Sequence, residues 1–228
     1  MITTVVFDLD DTLYDEIEYC KSGFATVAEF LSNPATAPAE MRRIFEAFWE
    51  QFSTGNRTKT FNAALDKLGM SYNDKLIGEL IEVYRQHKPK ITLPQDSRDA
   101  ICELSTKYTL ALLTDGFLPG QQLKVQALGI EKYFKSIVYT EQLGRKYWKP
   151  SPAGFEKIIE TLGARPENTV YIADNEKKDF IAPNKLGFST IQILRPARIH
   201  TSVCEEPEGR AQHIIRQISQ LSGLLEAL

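Results

Sequence analysis

Residues 2–14 read ITTVVFDLDDTLY, a β-branched, apolar run from Ile2 to Phe7 that stops abruptly at the acids Asp8, Asp10 and Asp11. A run of that length and make-up predicts a short strand buried on both faces, with its end opening onto a site. Three more runs of the same kind follow at residues 108–113 (YTLALL), 136–139 (SIVY) and 169–173 (TVYIA), with a weaker fifth at 189–194 (STIQIL). Between them lie helix-period segments, one riding on Ile101 and Leu104, one on Leu123, Ala127 and Leu128, and one on Phe155, Ile158, Ile159 and Leu162. Strand alternating with helix predicts an α/β fold built on a doubly wound parallel sheet with right-handed crossovers. The tail carries Ile214, Ile218, Leu221, Leu225 and Leu228 at helical spacing and predicts a terminal helix packed on the core.

One stretch breaks the alternation. Residues 15–88 show no strand signal but four amphipathic segments, on Ile17, Cys20, Phe24, Val27 and Leu31; on Met41, Ile44, Phe45, Phe48, Trp49 and Phe52; on Phe61, Ala64, Leu65 and Leu68; and on Leu76, Leu80, Ile81 and Tyr84. Pro34 and Pro38 separate the first two, Gly55 and Gly69 punctuate the later ones, and Pro89 and Pro94 mark the return to the sheet. The expected organisation is a core of residues 1–14 and 89–228 carrying an all-helical cap at 15–88.

The chain has 228 residues, with 27 Lys and Arg against 30 Asp and Glu and a net charge of −3. Near-balanced charge argues against a nucleic-acid polymer or a polybasic membrane surface as partner. No apolar run approaches the roughly 18 residues of a membrane span. The start reaches its first charge at Asp8 without a basic leader, and Cys20, Cys102 and Cys204 are odd in number and far apart. Both features predict a cytoplasmic protein in a reducing compartment.

In open parallel sheets ligands bind at the carboxyl ends of the strands. The first run is followed by Asp8, Asp10, Asp11 and Thr12, the second by Thr114-Asp115-Gly116, the third more distantly by Trp148-Lys149-Pro150, and the fourth by Asp174-Asn175 with Asp179 further on. Acids gathered in one crevice repel one another unless a cation is present. Hard oxygen donors with few protein attachments suit Mg²⁺, which keeps several waters and shares a substrate phosphate. The implied substrate carries a phosphate.

The stretches FDLDDTLY, LLTDG, KPSPAGF and YIADNEKKD resemble, in order and spacing, the four motifs of the haloacid dehalogenase-like hydrolases, and the resemblance covers residues 1–14 and about 90–195. It implies a Rossmann-like core and, given the second acid at Asp10, the phosphatase branch. It implies further that Asp8 attacks phosphorus to form an aspartyl-phosphate, while Asp10, in surroundings that keep it protonated at the start, protonates the leaving alcohol and then activates water. Thr114 and the backbone N–H of Asp115 would hold the phosphoryl oxygens, and Lys149 would neutralise the charge shared by Asp8 and the phosphoryl group. Mg²⁺ would be held by the Asp8 carboxylate, the Asp10 carbonyl and Asp174, with Asp179 behind them. The family often has Asn where this chain has Asp115 and Gly where it has Ala173; the backbone role of position 115 survives either side chain. The helical insert would act as a mobile cap that closes over the site and selects the substrate.

The remaining expectations concern individual residues. Asp11 and Asp15 are read as solvated turn and helix-cap residues, Thr12 as a brace for the turn, and Lys146 as solvated. His87, His200 and His213 are read as structural or surface residues, and the aromatics Phe45, Phe48, Trp49 and Phe52 as cap core. Arg57 and Lys59, in the most polar break of the insert, are candidates for substrate specificity. The expected partner is a small phosphorylated metabolite such as a nucleotide, sugar phosphate or phosphoglycolate-like compound, acted on by a monomer or homodimer. A mutase or phosphonate hydrolase of the same family, or a non-hydrolytic phospho-receiver, is the alternative reading.

Overall fold

The computed structural model describes residues 1–32 and 37–228; Pro34, expected at the first joint of the insert, lies outside the described residues. The chain divides into two compact units, Met1–Ile17 with Thr92–Leu228, and Glu18–Ile91.

The first unit is built on a six-stranded parallel sheet. Its strands are β1 (Thr4–Phe7), β2 (Thr109–Thr114), β3 (Ser136–Tyr139), β4 (Thr169–Ala173), β5 (Ser189–Ile193) and β6 (His213–Ile215), in the order β3-β2-β1-β4-β5-β6. Every residue of β1 and β4 is buried, as near-continuous apolar runs between two covering layers require. One layer packs Val6, Ala111, Leu113, Tyr171 and Ala173 of the sheet against Phe155 and Ile158 of the helix Ala153–Leu162. Phe155 meets the Tyr171 ring edge-on at 4.8 Å.

Two expectations are corrected here. The tail is not one helix: Ile214 lies in β6 with its side chain largely exposed, and the helical part begins only with a short turn at Ile218–Gln220 and continues as Leu221–Ala227. The helix Gly120–Leu128 was expected to bury Leu123 and Ala127. It buries Gln121, Lys124, Val125 and Leu128 instead, leaving Leu123 half-buried and Ala127 exposed. The inward face of that helix is partly polar because it meets carboxylates rather than an apolar layer.

The second unit contains four helices, Glu16–Leu31 (which begins within the first unit), Ala37–Thr54, Thr60–Leu68 and Asp74–Gln86. Its centre is aromatic: Phe24 stacks on Phe48, and both meet Phe61 edge-on, at ring separations of 5.3–6.1 Å. Gly23 lets Tyr84 in, since a Cβ there would stand 2.5 Å from the tyrosine ring. Phe48 is core as expected, whereas Phe45, Trp49 and Phe52 are only half-buried. His87 is structural, its ring nitrogens bonded to the Tyr84 carbonyl and the Ser22 hydroxyl. Among the described residues no helix is long and apolar enough to cross a membrane.

Candidate active site

Chain order reverses at β1, which has β2 on one side and β4 on the other. The carboxyl ends of these three strands therefore lie side by side at the switch point where open parallel sheets gather ligands. Asp8 follows β1, Thr114 closes β2 and Asp174 follows β4, while β3 leads through the short turns Thr140–Leu143 and Arg145–Tyr147 to Lys149.

Lys149 is the hub. Its ammonium lies 2.9 Å from Asp8 Oδ1, 2.8 Å from Asp179 Oδ1 and 2.9 Å from the Tyr171 hydroxyl, and its side chain is 1% exposed. Burial works against its charge, but Asp179 and Asp8 outweigh that and hold Lys149 as an ammonium well above its ordinary range. The second oxygen of Asp179 accepts the Asn175 N–H at 3.0 Å, so both of its oxygens are engaged within the protein.

Asp174 has no such support. Its Oδ2 is buried with no hydrogen-bond partner among the described residues, and one oxygen each from Asp8, Asp174 and Asp179 lie within 4.8 Å of one another. Burial first, then the like charges of Asp179 and Asp8, push Asp174 up to about 9. Burial also raises Asp8 to about 6 against the opposite pull of Lys149. A buried, unpartnered carboxylate oxygen beside two other acids fits a hard divalent cation, whose charge would reverse both shifts.

The Asp115 carboxylate, an acid where the family often has an amide, is fully employed. It accepts the Thr140 hydroxyl at 2.8 Å and the Lys149 backbone N–H at 3.2 Å on Oδ1, and Lys178 Nζ at 3.3 Å on Oδ2. Lys178 thus brings a second cation to the site. Burial raises the Asp115 pKa, but Lys149 and Lys178 overcome this and keep it below the usual carboxylate value.

Asp10 sits in a different network. Lys124 Nζ lies 2.8 Å from both of its oxygens, Gln121 Nε2 donates to Oδ2 at 2.9 Å, and the Tyr14 hydroxyl donates to Oδ1. Burial alone would raise its pKa; the Lys124 charge and these hydrogen bonds reverse that and leave it lowered. The expectation that Asp10 rests protonated is therefore corrected, because its surroundings favour the carboxylate. Gln121 Nε2 also lies 2.6 Å from Thr114 Oγ1 and 2.8 Å from the Asp115 carbonyl, so its two protons are shared among three acceptors. That approach needs Gly116, where a Cβ would stand 2.8 Å from the Gln121 side chain. Glu16, 4.0 Å from Lys124, is pushed up to about 8 by burial and by Asp10.

Asp11 is buried rather than solvated. It adopts a positive φ of 53° and caps the first helix by accepting the Glu16 N–H at 2.9 Å, while its second oxygen accepts the Ile199 N–H at 2.6 Å. Burial raises it to about 6 against those two hydrogen bonds. Asp15 pairs with Arg195 at 2.6 Å, and Glu176 accepts the Cys204 N–H at 2.9 Å, so the segment between β5 and β6 is tied to two of the site's loops. Thr12 is fully buried and its backbone N–H donates across the turn to the Leu9 carbonyl at 3.4 Å, while its hydroxyl finds no partner among the described residues. Lys146 is exposed.

The structure thus brings Asp8, Asp10, Thr114, Asp115, Lys149, Asp174 and Asp179 to one sheet edge. Arg57 and Lys59 belong to the helical unit, where Arg57 lies over the Phe52 ring at 4.7 Å and both residues are exposed. Gln121, Lys124, Tyr171, Thr140 and Lys178 were missed. Tyr171 and Lys178 carried a signal, since both sit inside the stretch YIADNEKKD.

Comparison with known proteins agrees with this geometry. The chain is 27% identical over 203 residues to a glyceraldehyde 3-phosphate phosphatase of Methanopyrus kandleri, covering 86% of this chain and 85% of the relative. It is 26% identical over 241 residues to the human N-acylneuraminate-9-phosphatase, covering 100% and 95%. The crystal structure of the HAD-hydrolase YfnB from Bacillus subtilis bound to magnesium superposes with a TM-score of 0.72 at 21% identity, covering 98% of each chain. The model of the haloacid dehalogenase-like hydrolase family matches residues 5–193, so the chain belongs to the haloacid dehalogenase-like hydrolases.

Proposed function

We propose that this protein is a Mg²⁺-dependent phosphatase that hydrolyses a small phosphomonoester through an aspartyl-phosphate on Asp8. The observation that carries the reading is the placement of Asp8: one oxygen is held by Lys149, beside the unpartnered oxygen of Asp174. Lys149 fixes Asp8 Oδ1, so Oδ2 is the oxygen that attacks phosphorus. As the Asp8–phosphorus bond forms, the bond to the leaving oxygen breaks and that oxygen takes a proton from Asp10. Asp10 then removes a proton from water, whose oxygen bonds to phosphorus and releases Asp8. Splitting one displacement into two in this way lowers each barrier.

Asp10 rests ionised, the form the second half requires. For the first half Asp10 takes up a proton from solvent as substrate binds, because a phosphoryl dianion beside it is a like charge that favours the protonated form. The proton it later takes from the attacking water returns to solvent on product release. Thr114 and the Asp115 N–H hold the phosphoryl oxygens, and the Lys149 ammonium balances the charge shared by Asp8 and phosphorus. The residues that would hold Mg²⁺ are Asp8, Asp174 and the Asp10 carbonyl; when bound, the ion supplies positive charge opposite the phosphoryl oxygens. Asp179, with both oxygens engaged, orients Lys149 from behind.

The names of the relatives support a phosphorylated sugar or sugar acid as substrate. The purified protein should release phosphate from p-nitrophenyl phosphate with Mg²⁺ and lose that activity with EDTA or on Asp8→Asn. Full activity of the Asp8→Asn variant would refute the mechanism. A phosphate-release assay over a panel of phosphorylated metabolites identifies the natural substrate.

A further inference from the structure

Gln121 and Lys124 are polar residues buried to 3% and 4% exposure on the inward face of their helix, beside Val125 and Leu128. Each oxygen of Asp10 accepts two hydrogen bonds: Oδ1 from Tyr14 and Lys124, Oδ2 from Gln121 and Lys124. The same Gln121 nitrogen donates to Thr114 Oγ1 at 2.6 Å. That bond uses the threonine oxygen as an acceptor, so the hydroxyl proton points elsewhere, and it reaches the Asp115 carbonyl only at 3.5 Å. One turn of helix, three residues from Gln121 to Lys124, therefore links the phosphoryl-gripping hydroxyl to the carboxylate that handles the proton.

We propose that Lys124, with Gln121 beside it, is a positioning residue for the reaction: it holds the Asp10 carboxylate where that group passes a proton to the departing oxygen. The proposal rests on the phosphatase reading of the site. Delivering the proton requires one of the four bonds to Asp10 to be given up. Lys124 straddles both oxygens and can keep one while releasing the other, so the carboxyl pivots without leaving its place. The step balances, since the proton leaves Asp10 as the phosphorus–oxygen bond to the alcohol breaks, and an equivalent proton returns from water in the second half. A buried ammonium would be an expensive way merely to fill space; its location on both oxygens of one catalytic carboxylate gives it a purpose.

The test uses two esters that differ in their need for a proton. The phenolate leaving from p-nitrophenyl phosphate departs without one, whereas the alkoxide leaving from glycerol phosphate requires it. In the Lys124→Met variant, kcat on glycerol phosphate is expected to fall at least tenfold further than kcat on p-nitrophenyl phosphate, with the same split in Asp10→Asn. Equal losses on the two esters overturn the proposal, because a structural or binding role moves both alike. Lys124→Gln is the second variant, read in the same way if Lys124→Met does not fold. Crystal structures of the wild-type and variant proteins judge the positional half without reference to turnover: the Asp10 carboxylate should be displaced in the variant, and an unmoved carboxylate overturns the proposal. If wild-type protein hydrolyses neither ester, the phosphatase reading fails, while the crystal structures still decide whether Lys124 places Asp10.

Discussion

Replacing Asp174 by Asn should stabilise the metal-free protein and abolish its response to Mg²⁺. In the folded chain this carboxyl is pushed from 3.8 to about 9, first by burial and then by Asp179 and Asp8. The unfolded chain ionises above pH ~4, whereas the folded chain keeps its proton up to about 9. The unfolded state therefore binds fewer protons throughout that window, and stability falls as pH rises. Each pH unit costs about 1.4 kcal/mol, so near pH 7.5 the penalty has a ceiling of about 5 kcal/mol. Neighbouring acids share the relief, and half the ceiling is a reasonable expectation. In a domain of this size 1 kcal/mol moves Tm by about 2–4 °C, so Asp174→Asn should melt about 5–10 °C above wild type in EDTA. Circular-dichroism melts at several pH values between 5 and 8 would show the gap widening as pH rises. Adding Mg²⁺ should raise the wild-type Tm, because the ion binds only the folded state, and leave the variant where it was. A variant no more stable than wild type in EDTA near pH 7.5, or one that gains as much from Mg²⁺, would refute the reasoning.

Lys149→Met removes the cation between Asp8 and Asp179, and breaking a buried pair of this kind costs about 3–5 kcal/mol. Metal-free melts should fall by about 6–20 °C, most at alkaline pH where the acids cannot take up protons, and phosphate release should be lost; an unchanged Tm counts against the hub role. Gly23→Ala puts a methyl 2.5 Å from the Tyr84 ring inside the aromatic cluster, and denaturant titration should show a loss of about 1–3 kcal/mol. Exchanging Arg57 and Lys59 for Ala should raise KM for the natural substrate more than for p-nitrophenyl phosphate, and equal effects on both esters would dismiss a specificity role for that turn.

The strands and the helices of the insert were legible because each obeys one simple pattern. β1 and β4 are buried on both faces and so read as unbroken apolar runs, while Phe24, Phe48 and Phe61 each belong to the helix-period stripe of their own segment and meet in one cluster. What failed was the assumption that an inward face is apolar. The helix carrying Gln121 and Lys124 turns polar groups inward because Asp10 and Thr114 are there to receive them, and no periodicity in one segment reports what faces it from another. Asp11 misled for the same reason: its carboxylate is buried on the distant Ile199 N–H, a partner 188 residues away in sequence. Ile214 fitted a helical spacing by coincidence; a three-residue edge strand is too short to impose a period of its own.

The family match ends at Ile193, yet three bonds formed beyond that point fasten the loops that carry the site. A chain shortened there would retain all the acids and lysines on which the chemistry depends. It would also lose the ion-pair partner of Asp15, one of the two hydrogen bonds to Asp11, the anchor of Glu176 and the strand beside β5. Asp11 adjoins Asp10 and Glu176 lies two residues beyond Asp174, so the slack would be taken up where the reacting groups must be held most tightly. On the proposed mechanism, a piece of this protein that keeps the loops of its site fastened must extend past the end of the family match at Ile193.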